Sequence, residues 1–260
     1  MISSIHNPKM QRVRELLSHS QSRKEHKAFV AEGVRLIEEA LQSGFYPEEL
    51  YFSSRLNHRG MELIGKINAS TTAVEEVDHY LLDRLSDTET TQGILAVFPV
   101  IETAPPASAD FVLILDSIRD PGNMGTILRT ASAAGVQVIY VSPDCVDIYS
   151  PKVFRSAMGA HFHLPVYDRS WDEIKMGLQD KYCIPNIYLS DVHQGMPLWN
   201  CALMEPAALI ISSEASGASE SAKNLASASI HIPMPGGFES LNASVAAAIL
   251  LFEVVRQRSI

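Results

Sequence analysis

The sequence predicts an α/β protein in two parts: a small α/β domain over residues 1–99 and a parallel-sheet domain over residues 111–260. Three observations carry that reading. After residue 110, short runs rich in Val, Ile and Leu alternate with helical stretches, the rhythm of strand–helix–strand units. Those runs lack in-out alternation, so both faces of their sheet are expected to be covered. Between the two parts lies VIETAPPASAD (100–110), whose paired prolines fit neither a helix interior nor a central strand. That stretch reads as a linker.

In the first part, Pro8–Leu17 reads as a helix and AEGVRLIEEALQSG (31–44) as another, closed by Gly44. ELYFS (49–53) and GILAVFP (93–99) read as strands, with helical DHYLLDRLS (78–86) between them. In the second part, FVLIL (111–115) is a buried strand. A Gly-rich turn and helix follow in DPGNMGTILRTASAAGV (120–136), then the strand VQVIYV (136–141). HFHLPV (161–166), NIYLS (186–190), AALIIS (207–212) and SIHIPM (229–234) read as further strands, and WDEIKMGLQD (171–180) as a helix. A long final helix starts near residue 241.

Composition bounds the function. With 46% hydrophobic and 20% charged residues among 260, the chain can bury a substantial core. No N-terminal signal-peptide layout and no stretch of spanning length is present, and VAAAILLFEVV (245–255) is too short. Cys145, Cys183 and Cys201 are odd in number and widely spaced, which predicts no disulfide framework, no zinc site and a cytoplasmic setting. A net charge of −9 argues against a protein that holds nucleic acid by bulk charge. Residues 1–35, however, carry seven Lys/Arg against three acids, a local excess suited to a polyanion or to a solvated mixed-charge helix.

Ligands of parallel sheets sit beyond the carboxyl ends of the strands, so 116–125, 190–195, 212–217 and 233–240 are expected at one crevice. The first of these has neither GxGxxG nor GK[ST], which excludes a Rossmann fingerprint and an NTPase loop. Asn123 there is a helix cap or a substrate contact, and Arg129 a surface charge or a substrate-binding group. In LIISSEASGAS (209–219), Glu214 among small residues suits close ligand approach, or the segment is a helix start capped by Ser216 or Ser219. From His231 to Arg258 a strand meets a Pro/Gly loop, and Ser240 or Asn242 then opens a nearly all-apolar helix. Such a helix needs burial on several sides, from a subunit interface or from the monomer's own interior.

Together these loops resemble the three motifs of the SpoU/TrmH family of RNA 2′-O-ribose methyltransferases. The matching residues are N-x-G-x-x-x-R at Asn123, Gly125 and Arg129, the SSEASG loop, and IPM…ESLNASVAAA at 232–248. KVFRSAMGAHFHLPV (152–166) resembles the family's connecting segment. NPKMQRVRELL, FVAEGVRLIEEAL and TQGILAVF look like the ribosomal-protein-like substrate-binding domain often fused ahead of it.

The resemblance implies a SPOUT domain with a C-terminal trefoil knot, a homodimer formed through that domain, and S-adenosylmethionine as cofactor. It places cofactor contacts at Ser190, Ser212, Glu214, Gly217, Ile232, Met234 and Leu241. It implies that Arg129 serves the ribose hydroxyl. A guanidinium stays protonated to above about pH 12, so Arg129 is expected to steady the developing alkoxide and hold an RNA phosphate. Asn123 would orient Arg129 or the ribose, Ser240 and Asn242 would position the nucleophile, and Glu214 would fix the cofactor loop. RNA contacts are expected at Lys9, Arg12, Arg23, Lys24, Lys27 and Arg35, with ribosomal RNA favoured over transfer RNA and neither metal nor membrane involved. One departure bears on activity. Ser212, Ser213 and Ala215 stand where the family usually has glycine, and Ala218 replaces a larger apolar residue. An RNA-binding pseudo-methyltransferase with a degenerate cofactor loop, or a tRNA ribose methyltransferase, is therefore the alternative reading.

Overall fold

The structure is a computed structural model that describes residues 1–67, 72–86, 91–192, 194–215, 217–237 and 239–259. The chain divides into two compact units, residues 1–102 with 147–162, and residues 103–146 with 163–260.

The first unit contains α1 (Pro8–Ser18), α2 (Ser20–His26), β1 (Ala28–Glu32), α3 (Val34–Gln42), β2 (Glu49–Phe52), α4 (His58–Lys66), β3 (Ala73–Glu76), α5 (His79–Leu85) and β4 (Ile94–Pro99). Its strands pair in the order β1-β4-β2-β3, with β4 antiparallel to both neighbours. Side chains alternate across a strand, so successive β1 residues serve opposite cores. Phe29 and Ala31 join Leu50 and Phe98 on one face, while Ala28 and Val30 join Tyr51 and the α1 residues Met10, Val13 and Leu16 on the other. Asn7 opens α1 by accepting from Lys9 N at 2.9 Å, with Pro8 at the first helical position.

The helix expected over 31–44 is shorter than its pattern, because Ala31 and Glu32 belong to β1. Gly33, at φ +102, turns the chain into α3, and the Gln92 side chain accepts from Val34 N at 2.8 Å.

The second unit contains β5 (Phe111–Asp116), α6 (Pro121–Ala133) and β6 (Val138–Val141). After α7 (Pro151–Ala157), which packs in the first unit, come β7 (Val166–Asp168), α8 (Trp171–Met176), β8 (Asn186–Asp191), β9 (Met196–Pro197), β10 (Ala207–Ser212), α9 (Glu220–Leu225), β11 (Ala228–His231) and α10 (Ala243–Arg258). Among the described residues, seven strands form one parallel sheet in the order β7-β6-β5-β10-β8-β11-β9. Every β5 residue is buried, as a doubly covered sheet requires. No helix of the described residues is long and apolar enough to cross a membrane.

HFHLPV is not a strand along its length. Residues Ala160–Phe162 form a 3₁₀ turn, and β7 begins only at Val166. Aromatic packing explains the difference. Phe154 of α7 lies 4.6 Å from Phe29 and 4.4 Å from His161, ring centre to ring centre, and Phe162 packs on Phe98 at 6.0 Å.

Burial among these rings pushes the His161 pKa down to about 4, although Ile148 O lies 2.8 Å from Nε2. The folded chain therefore holds His161 neutral where an unfolded imidazole, with a pKa near 6.5, takes up a proton. Stability is full above about pH 6.5 and is lost as pH falls toward 4. Between pH 7 and 5 the loss from this group is about 2 kcal/mol. Replacing His161 by Phe should flatten that slope in urea titrations at the two pH values. An unchanged slope would assign it to other groups.

Candidate active site

Parallel pairing sets the carboxyl ends of the central strands side by side. Ser212 is in register with Asp116, and His231 with Asp191. The loops leaving β8, β10 and β11 meet the start of α10 around one cavity. Ser190, Ser212, Glu214, Gly217, Ile232, Met234 and Leu241 all line it, as does Ser240.

Asp116 holds the floor of this arrangement, and sequence reasoning did not single it out. It is 1% exposed, yet its Oδ2 accepts from Ser212 Oγ at 3.0 Å and from Ser219 N at 2.8 Å. Its Oδ1 accepts from Ser117 Oγ at 3.2 Å, and its carbonyl accepts from Ser213 N at 3.2 Å. One buried carboxylate thus ties the end of β5 to the loop after β10 and to the start of α9. The signal was present as a lone acid ending the apolar run FVLILD. Ser117 beside it is a non-glycine residue at φ +57, a strained conformation of the kind found at functional sites.

The motif residues meet through side chains. Asn123 Nδ2 donates to Glu214 Oε1 at 3.2 Å, and Asn242 Nδ2 donates to Asn123 Oδ1 at 2.9 Å. Residues 119 and 91 positions apart in sequence are therefore joined in one chain of hydrogen bonds across three loops. Local chemistry sets each in place. Asp120, not Asn123, caps α6 by accepting from Asn123 N at 2.7 Å, so Asn123 sits in the first turn with its amide free for Glu214 and Asn242. Asn242, not Ser240, caps α10 by accepting from Ser244 N at 3.0 Å. Arg129 lies on the exposed side of α6, among buried Ile127, Leu128 and Ala131, and does not line the cavity. Among the described residues its guanidinium has no hydrogen bond or ion pair.

The loop after β10 accommodates its departures from the glycine pattern. Ser212, Ser213 and Ala215 have no positive φ, and the left-handed position is Gly217 at φ +68. A Cβ is strained only in that region, so these side chains add no backbone cost. Ser219 caps α9 by accepting from Ala222 N at 3.2 Å, while Ser216 lies outside the described residues. The wall chemistry suits a nucleoside sulfonium. Ile211, Ile232, Met234 and Leu241 offer apolar surface, serine hydroxyls offer partners for a ribose, and Asp191 and Glu214 offer negative charge to a cation. Among the described residues no group of His, Cys, Asp and Glu is arranged to hold a metal.

In the first unit the basic residues divide. Arg23 is a correction to the expected RNA surface: it is 5% exposed, with Nε on Asp147 at 2.7 Å and Nη1 on Leu16 O at 2.6 Å. Through Nε and Nη1 this buried guanidinium serves the fold. Lys9 pairs with Glu75, Arg12 with Glu49 at 2.7 Å, and Lys27 with Glu102 at 3.4 Å. Lys24 is exposed, and exposed Arg35 makes no hydrogen bond or close ion pair among the described residues, although its charge helps to lower the Glu38 pKa.

The model of the SpoU rRNA methylase family matches residues 110–252, more than half of the chain. The chain belongs to that family. Ahead of the SpoU domain, residues 7–96 match the MRM3-like substrate binding domain. The 23S rRNA (guanosine(2553)-2′-O)-methyltransferase RlmP of Bacillus subtilis is 30% identical, over 97% of this chain and 99% of its own. The human mitochondrial rRNA methyltransferase 3 is 31% identical, over 87% of this chain and 67% of its own. Among solved structures, an RNA 2′-O ribose methyltransferase superposes with a TM-score of 0.82 at 30% identity, covering 100% of this chain and 99% of that one. The SpoU methyltransferase AviRb of Streptomyces viridochromogenes, in complex with the cofactor AdoMet, gives 0.83 at 28% identity, covering 97% of this chain and 99% of that one. The SpoU fold here is thus seen in a relative that carries the methyl donor.

Proposed function

We propose that the cavity at the ends of β8, β10 and β11 holds S-adenosylmethionine, and that Arg129, Asn123, Ser240, Asn242 and Glu214 act on the ribose beside it. The enzyme transfers a methyl group from S-adenosylmethionine to a ribose 2′-hydroxyl of ribosomal RNA. The bound donor supplies an electrophilic methyl on a sulfonium. What the chain must add is alignment of the hydroxyl and stabilisation of the charge left when its proton departs. Arg129 meets that charge and an adjacent RNA phosphate, since an exposed guanidinium without a protein partner keeps its donors for a ligand. Asn123 and Asn242 orient the ribose, Ser240 positions its hydroxyl, and Glu214 holds the cofactor loop. The observation that carries this reading is the Glu214–Asn123–Asn242 chain of hydrogen bonds, which draws the three motif loops together beside the cavity.

RNA contacts belong to the first unit, at Lys9, Arg12, Lys24, Lys27 and Arg35, with Arg23 given to the fold. The protein works in the cytoplasm as a homodimer, its C-terminal loops tied in a trefoil knot. The α10 surface supports pairing. Val245 and Phe252 are each 47% exposed and seven residues apart, so they lie on one stripe of α10, whose buried residues include Ala247, Leu250, Leu251 and Val254.

Incubation of the protein with unmodified 23S and 16S ribosomal RNA and methyl-labelled S-adenosylmethionine should label ribose at a defined nucleotide. Labelling confined to transfer RNA would overturn the substrate. RNA binding without donor binding in calorimetry would return the pseudo-enzyme reading.

A further inference from the structure

The loop after β11 has a second concavity, which Ser212 does not line. Val192, Ile232 and Met234 line both it and the cofactor cavity, so the two are continuous. Its own walls are Trp199, His231, Pro233, Pro235 and Glu239. Trp199 stands out. It is 54% exposed on the short turn Leu198–Asn200, while its neighbour Leu198 is fully buried and anchors that turn. Its indole N–H has no partner among the described residues. Val192 and Met196 nearby are also exposed. His231, half-buried, also lines the cleft.

An aromatic side chain left in water, two rigid prolines and a half-buried imidazole form a site for a flat heterocycle that stacks. We propose that this cleft receives a nucleobase of the RNA substrate, stacked on Trp199 and flanked by the His231 ring. Its continuity with the cofactor cavity makes that base a close neighbour of the ribose being methylated. The proposal rests on the RNA methyltransferase reading and adds the residues that seat the target strand beside the donor.

The chain has two tryptophans, Trp171 and Trp199, so Trp171→Phe leaves Trp199 as the sole indole reporter. Unmodified 23S ribosomal RNA should quench its fluorescence along the same curve as filter binding, and S-adenosylmethionine alone should leave it unchanged. Trp199→Ala should raise KM for RNA about tenfold with kcat and donor affinity nearly unchanged, and Trp199→Phe should recover most of the loss. RNA binding without quenching would overturn the inference and leave the RNA reading intact. Quenching by S-adenosylmethionine alone would give the cleft to the donor's adenine instead. Absence of RNA binding altogether would take both readings down.

Discussion

Replacing Arg129 with alanine is expected to lower methyl transfer about a thousandfold while leaving the fold and the affinity for S-adenosylmethionine unchanged. The clean separation follows from where the side chain sits. Arg129 projects from the exposed side of α6, and no described residue pairs with it, so truncation removes no internal hydrogen bond or ion pair. Stability should change by less than about 0.5 kcal/mol. Arg129 also does not line the cofactor cavity, so donor binding measured by calorimetry should be retained. Only the step that needs a cation beside the ribose suffers. Arg129→Lys separates charge from geometry, because an ammonium keeps the charge but not the two-pronged donor that holds a phosphate. The lysine variant should recover part of the rate, with KM for RNA raised. Full activity in the alanine variant would remove Arg129 from the site.

Periodicity was a sound guide where the core alone sets an element's character. FVLIL and AALIIS are buried on both faces, and both became central parallel strands. It misled where one residue or a neighbouring core overrode the pattern. AEGVRLIEEAL has helical spacing throughout, yet Gly33 breaks it and gives Ala31 and Glu32 to β1. HFHLPV is apolar enough for a strand, yet Phe154 of the preceding helix and the distant Phe98 pack on His161 and Phe162 in a turn. The same limit applies to charge. Arg23 belongs to a basic N-terminal run, and only folding reveals that Asp147, 124 positions away, claims it. The motif residues were legible because a family's chemistry restricts them individually. Asp116 was less so, since its part is played through Ser212 and Ser219, and a sequence does not display which hydroxyl or amide a carboxylate will meet.

Asp116→Ala is accordingly expected to weaken S-adenosylmethionine binding about ten- to a hundredfold, although Asp116 does not line the cavity. The loop after β10 bends back under its control, because the Asp116 carboxylate accepts from both Ser212 Oγ and Ser219 N. Alanine leaves these donors unsatisfied in a half-buried setting, at about 1–3 kcal/mol for each one kept from water. The loop can relieve that cost only by moving toward water, which carries Ser212 and Glu214 away from their cavity positions. Part of the penalty therefore appears as lower stability of the second unit, about 2–4 kcal/mol, and part as lost donor affinity. Asp116→Asn keeps one acceptor but turns an N–H₂ toward one of its former donors, so it should fall between parent and alanine. Ser212→Ala removes a single hydrogen bond and should cost about 1 kcal/mol. Combined with Asp116→Ala it should add almost nothing, since the partner is already gone. Calorimetric titration of the parent and the four variants with S-adenosylmethionine reads the affinities, and urea unfolding reads the stabilities. Parent-like binding by a destabilised Asp116→Ala protein would show that this carboxylate supports the sheet alone and has no hold on the cofactor loop.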